Sequence, residues 1–329
     1  MRAIQVVGAG ADAGLEIGTA PVPEPGPGEV GIAVYATAVN RADLLQRRGF
    51  YPPPPGASEI LGLECAGIVE EVCDGVSELE AGMRVMALLP GGGYAERVAV
   101  DAGSVLPIPE GMSFAEAAAI PEVFLTCHLN LFEIGRLAAG GAALVHGGGS
   151  GIGTAAISLL GRAGVRTLVT AGSESKCRRC ESLGAELALN YRDGPFAEAV
   201  LAATNREGVD LVLDSIGAPY LAQHLQCLRT GGRLVQIGLM GGAKAEIHLG
   251  LVVSKRLEII GSTLRSRSVA AKAELVRSFR NRFGPDLERG KIVPVIDRIL
   301  PLELAQEAHE LLDRSEHFGK VVLEVRAQK

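Results

Sequence analysis

The sequence predicts an α/β chain built of two parts, a mainly antiparallel β unit and a doubly wound parallel sheet. Three observations predict it. Short apolar runs closed by Gly, Pro or Asp dominate the first part. Strand and helix patterns alternate from Ala142 onward. A glycine-rich loop joins the first strand of that alternation to its helix.

In the first part, Pro25-Gly26-Pro27-Gly28 reads as a turn. Val30, Ile32 and Val34 then alternate with Gly31, Ala33 and Tyr35, the period of a half-buried strand. Residues 66–72, 84–89 and 96–100 are further short strands. The grammar changes at Ser113-Phe114-Ala115-Glu116, a capping box that opens an Ala-rich helix. Strands are then expected at 142–146, 167–170, 187–189, 209–214, 234–238 and 257–260. Helices are expected at 152–162, 174–183 (closed by Gly184), 196–204 and 220–228. Six apolar, β-branched strands separated by helices imply a parallel sheet covered on both faces. Beyond residue 267 comes a charged helix, then strands at 294–299 and 321–325 that break the alternation and are expected to return to the first part.

Composition narrows the function. With 329 residues and 47% hydrophobic content, more than one core is expected. A net charge of −6 without a marked basic patch argues against nucleic acid as a partner. Neither a signal peptide nor an apolar run long enough to span a membrane is legible, so the expectation is a cytoplasmic globular protein. Six scattered cysteines do not form a disulfide framework, and Cys177-x-x-Cys180 reads as incidental helix residues.

The glycine loop carries the chemistry. His146-Gly147-Gly148-Gly149-Ser150-Gly151-Ile152-Gly153 follows a strand and opens a helix, so its backbone can approach a pyrophosphate at a helix N-terminus. The spacing is not a strict G-x-G-x-x-G. Nor is it a P-loop, because Thr154 lacks a preceding Gly-Lys. A dinucleotide is therefore expected in preference to ATP. The second strand ends in Ala171-Gly172-Ser173 with no Asp or Glu to take ribose hydroxyls, while Ser173 and Lys176 can bind a 2′-phosphate.

Several stretches resemble the zeta-crystallin-like quinone oxidoreductases of the medium-chain dehydrogenase/reductase superfamily. They are Asn40-Arg41-Ala42-Asp43-Leu44, residues 49–58 with Tyr51 and its prolines, Ile60-Leu61-Gly62-Leu63-Glu64, residues 87–93, 118–121, 150–156, 170–173, 238–242 and 264–267. The resemblance covers essentially the whole chain. It implies a GroES-like β catalytic domain, residues 1–122 and 267–329, and a Rossmann-like cofactor domain, residues 123–266, with an active-site cleft between them. It further implies NADPH as cofactor, a small quinone substrate and a homodimer or homotetramer. Tyr51 and Asn40 are the implied catalytic residues. The implied cofactor residues are Thr126, Gly148, Ser150, Gly151, Ile152, Gly153, Ser173, Lys176, Tyr191, Ile216, Gly238, Leu239, Met240, Gly241, Leu264 and Arg265.

Zinc-dependent relatives hold their metal with a Cys near residue 40 and a His after the glycine at 62. Here those places read Asn40 and Leu63, and the six histidines are dispersed along the chain, expected on helices or the surface. The expectation is a zinc-independent enzyme moving hydride from NADPH to quinones, ortho-quinones in particular. Its rivals are an NADPH-dependent enone or alkene reductase, and an RNA-binding crystallin-like protein, which the acidic balance disfavours.

Overall fold

The computed structural model describes residues 1–327 and divides into two compact units. One comprises Met1–Leu125 with the chain from Leu264 onward; the other is Thr126–Thr263. Each division falls three residues from the expected one, so Leu264 and Arg265 fold with the first unit.

The first unit is built on the long strand Glu29–Ala38. It pairs antiparallel with Glu64–Val72, Arg97–Asp101 and Lys320–Glu324. Val30, Ile32 and Val34 are fully buried, as their alternation predicts. Gly67 pairs with Val34, and a Cβ there would stand 2.0 Å from the Ala33 carbonyl oxygen, so only glycine lets the two strands close up. The returning strands are Ile296–Pro301 and Lys320–Glu324, parallel to each other; the second lies against Glu29–Ala38 and brings Lys320 to its end. The Ser113 capping box is formed, with the Glu116 N–H donating to Ser113 Oγ at 3.2 Å and the Ser113 N–H to Glu116 Oε2 at 2.8 Å. Elements with no forerunner in the sequence reading include the hairpin Arg2–Val7/Gly14–Thr19, strand Val105–Pro107 and the helices Arg41–Arg47, Pro121–Cys127, Leu249–Lys255 and Ala305–Asp313.

The second unit is the parallel six-stranded sheet. Across it the order is Leu187–Asn190, Arg166–Ala171, Ala142–His146, Val209–Asp214, Leu228–Gln236, Glu258–Gly261. The order reverses between Ala142–His146 and Val209–Asp214. That reversal is where open α/β sheets bind ligands beyond the carboxyl ends of their strands. Strand Leu228–Gln236 starts six residues before the expected 234. Its Arg229–Gly232 segment reads as a turn locally, yet Leu228 pairs with Val209 before a register shift.

Candidate active site

The centre of the first unit is a buried polar cluster that the chain assembles from distant positions. Glu64 is fully buried. Its Oε1 accepts from Lys320 Nζ at 2.7 Å and from Asn40 Nδ2 at 2.8 Å; its Oε2 accepts from the Glu122 N–H at 2.8 Å. Lys320 Nζ also donates to Asn40 Oδ1 at 2.7 Å. Asp43 accepts from the Asn40 N–H at 2.8 Å and the Gly62 N–H at 3.0 Å, and the Tyr94 hydroxyl donates to it at 3.3 Å. Burial pushes the Asp43 carboxyl up to about 6.

Asn40, one of the two implied catalytic residues, lies inside this cluster. Its second amide hydrogen goes to the Ala38 carbonyl at 3.3 Å, so both hydrogens are committed within the unit and its oxygen takes Lys320. Asn40 also caps the helix Arg41–Arg47.

Tyr51 stands differently. It is half-buried, and Arg265 packs on it, the guanidinium carbon 5.4 Å from the ring centroid. Glu122 and Arg265 face its phenol; burial and Glu122 push the phenol up, while Arg265 pulls it down. Burial, with Glu64 nearby, pushes Glu122 itself up to about 8, so at neutral pH it is mainly a neutral acid. Glu122, Glu64 and Lys320 are the residues that sequence reasoning missed. Lys320 sits 256 residues from Glu64, and no local pattern links them.

In the second unit, most of the implied cofactor residues come together at the switch point. Gly147 has a φ of +72°, and the Gly148 N–H donates to the Thr170 carbonyl at 2.8 Å. Ser150 caps the helix Gly151–Arg162, accepting from the Gly153 N–H at 3.0 Å. A Cβ on Gly148 would lie 2.8 Å from Val169, and one on Gly153 would lie 2.3 Å from the Gly147 carbonyl oxygen. The loop is a bare backbone cradle, the form a pyrophosphate fits. Cys127 Sγ donates to the Ile152 carbonyl at 3.3 Å, which puts Thr126 beside the loop. On the next strand end, Ser173 caps the helix Glu174–Ser182 and accepts from the Lys176 N–H at 3.3 Å. Tyr191 Oη lies 2.6 Å from where a Gly172 Cβ would be. Across the switch point, the Met240 N–H donates to the Ser215 carbonyl at 3.1 Å and the Gly241 N–H to that of Ile216 at 2.7 Å. That binds residues 238–242 alongside Ile216. Leu264 and Arg265 belong to the first unit.

His128, His224 and His309 lie on helices and His248 is exposed, as expected, whereas His146 ends a strand and His317 is buried outside any helix. His146 and His224 face each other, Nε2 to Nε2, at 2.8 Å, and His146 Nδ1 meets Thr170 Oγ1 at 2.9 Å. Burial holds His224 down at about 3 and His146 well below the ordinary range, so the pair is neutral. Asp214 approaches His224 from the opposite nitrogen, at 3.9 Å, and its two oxygens already accept from the Ile216 and Gly217 N–H groups. The three do not aim at one point.

Comparison with known proteins agrees with this architecture. Residues 26–110 match the alcohol dehydrogenase GroES-like domain, and residues 151–278 match the zinc-binding dehydrogenase domain. The two together define a medium-chain dehydrogenase/reductase. The chain is 32% identical over 326 residues to the quinone oxidoreductase of Rattus norvegicus, covering 98% of this chain and 97% of the relative. The Escherichia coli quinone oxidoreductase, solved in complex with NADPH, has a TM-score of 0.86 at 27% identity, covering 98% of this chain and 99% of that one. CurK enoyl reductase has a TM-score of 0.84 at 27% identity, covering 98% of each chain. The chain belongs to the quinone oxidoreductase family, and it is an oxidoreductase.

Zinc, which the second domain's description implies, does not fit the residues present. Leu63 is buried and has no donor, and the Glu64 carboxylate is occupied by the Lys320 ammonium. A fixed cation at that carboxylate repels a second one.

Proposed function

We propose that this chain reduces conjugated carbonyl compounds, quinones foremost and ortho-quinones in particular, using NADPH. The observation that carries the reading is the glycine cradle joined to a strand end, Ala171-Gly172-Ser173, that has no carboxylate where a 2′-phosphate would lie. The NADPH complex of the E. coli relative supports it. NADPH supplies a hydride when bound. Gly148, Ser150, Gly151, Ile152 and Gly153 would hold its pyrophosphate, and Ser173, Lys176 and Tyr191 its 2′-phosphate.

Without a Lewis acid the acceptor itself must welcome hydride, and a quinone does so because its product becomes aromatic. Tyr51 donates its phenolic hydrogen to the substrate oxygen and offers an apolar ring face. The substrate needs only to be oriented, which by itself can supply a large rate factor. A second reading, reduction of enones, is favoured by the likeness to an enoyl reductase. Turnover of ortho-quinones, para-quinones and enones, followed by NADPH absorbance, ranks the two. Activity only on enones would reverse the order, and activity on none would refute both. Tyr51→Ala should reduce kcat/KM for quinones about tenfold or more while leaving the Kd for NADPH within twofold, since Tyr51 lies outside the glycine cradle. Turnover at the parent rate would make Tyr51 a packing residue.

We also propose a homodimer joined at the sheet edge. Strand Glu258–Gly261 ends the parallel sheet, and Ile259, Val253 and Leu249 are exposed beside it. An apolar open edge invites a second strand. Sedimentation should give a dimer, and Ile259→Lys a monomer; a monomeric parent would refute the proposal.

A further inference from the structure

Where the chain re-enters the first unit, it delivers Arg265, which is 4% exposed. The guanidinium is gripped on three sides. Nε donates to the Pro90 carbonyl at 2.8 Å, Nη1 donates to the Tyr51 carbonyl at 3.3 Å, and the plane stands over the Tyr51 ring at 5.4 Å. Nη2 is buried and has no hydrogen-bond partner among the described residues. A buried guanidinium with an uncommitted N–H is costly, since it can neither lose its proton nor reach water. Arginine's rigid fork suits it to hold two carbonyls and a ring at once; a lysine would bring the charge without the fork.

We propose that Arg265 is the positioning residue of Tyr51, fixing the phenol for proton delivery and stabilising the tyrosinate that delivery leaves behind. This rests on the reading of the chain as a reductase of conjugated carbonyls. Hydride transfer would break a C–H bond of the reduced nicotinamide and form one on the acceptor carbon conjugated to the carbonyl; the displaced π pair collects on the carbonyl oxygen, and in a quinone the new C–H later gives up its proton as the ring tautomerises to the aromatic product. The Tyr51 O–H bond then breaks. Its proton goes to that oxygen, and its electron pair stays on the phenol oxygen as tyrosinate. A water proton later restores the phenol. The charge created on Tyr51 lies beside a cation already held against it. The ionisable groups around them are Glu122, Asp43 and Lys272, all in the first unit. Arg265 pulls the phenol's ionisation down against burial and Glu122.

The test uses the full chain and reads Tyr51 directly. Tyrosinate absorbance is titrated in the parent, Arg265→Met and Arg265→Lys. Each is paired with its Tyr51→Phe counterpart, so that the difference isolates one of the five tyrosines. Arg265→Met should move the Tyr51 ionisation upward by about one pH unit or more, the usual effect of losing a close opposite charge. The alkaline limb of the kcat/KM profile should move the same way, while kcat falls about tenfold and the Kd for NADPH holds within twofold. Arg265→Lys should restore the titration but only part of the rate. If Arg265→Met does not fold, Arg265→Gln, which can still donate to the Pro90 carbonyl, carries the comparison. A slower variant with an unmoved Tyr51 titration would overturn the proposal. So would a loss confined to NADPH affinity, which would return Arg265 to the cofactor. A parent that turns over no conjugated carbonyl would sink the reductase reading, while the titration would still decide what Arg265 does to Tyr51.

Discussion

Lys320→Met should lower the melting temperature of the first unit by about 6–20 °C. Breaking one side of a buried ion pair costs about 3–5 kcal/mol, and in a unit of this size each kcal/mol is worth about 2–4 °C. The substitution keeps the apolar stem but strands the Glu64 carboxylate, which is fully buried, with only the Asn40 amide and the Glu122 N–H for company. Calorimetry of the full chain measures it. The damage should depend on pH. Lys320 pulls the Glu122 acid down against burial, which raises it to about 8. A carboxyl raised in the folded state contributes stability below its unfolded pKa and loses it as pH rises through the folded one, so removing Lys320 weakens the variant most on the alkaline side. Adding Glu64→Gln should recover part of the loss, because it removes the stranded charge and its carbonyl oxygen can still accept from one of the two remaining donors. A variant melting within about 2 °C of the parent would mean the pair stabilises nothing.

The same pair marks what the sequence could and could not say. The parallel sheet was legible almost strand by strand, because its strands are apolar runs and neighbours such as Ala142–His146 and Arg166–Ala171 are joined by a single helical crossover. The glycine cradle was legible because one local stretch holds every residue it needs. Asn40 was legible by resemblance, but its bond to Lys320 was not, because a strand from the far end of the chain brings Lys320 alongside. Polar clusters of that kind are set by sheet topology, and no period or spacing encodes them. The same holds for the facing of a strand-end His146 and a helical His224. Arg265, a cofactor residue by resemblance, bonds the Tyr51 and Pro90 carbonyls within the first unit, contacts that no local pattern announces.

Lys176→Ala should weaken NADPH binding by about one to two orders of magnitude and leave NADH nearly untouched. Strand Arg166–Ala171 runs into Gly172 and Ser173, neither of which carries a carboxylate. The Ser173 oxygen accepts from the Lys176 N–H, which leaves its hydroxyl hydrogen to donate outward. Tyr191 Oη is held over Gly172, where any side chain would collide with it. Lys176 begins the same helical turn and is half-buried. One carboxylate follows closely, Glu174, but it is exposed and pairs along the helix with Arg178 at 3.3 Å, away from this corner. Asp193 is tied to the Asn190 amide at 2.9 Å. A charge-assisted hydrogen bond to phosphate is worth about 1.5–3 kcal/mol, and about 1.4 kcal/mol is tenfold in affinity. NADH lacks the phosphate, so it loses nothing when the ammonium goes. Dissociation constants for both cofactors, measured on parent and variant at one ionic strength, decide the matter. Equal losses for the two, or a parent that binds NADH more tightly, would assign Lys176 to the helix surface and reopen the choice of cofactor.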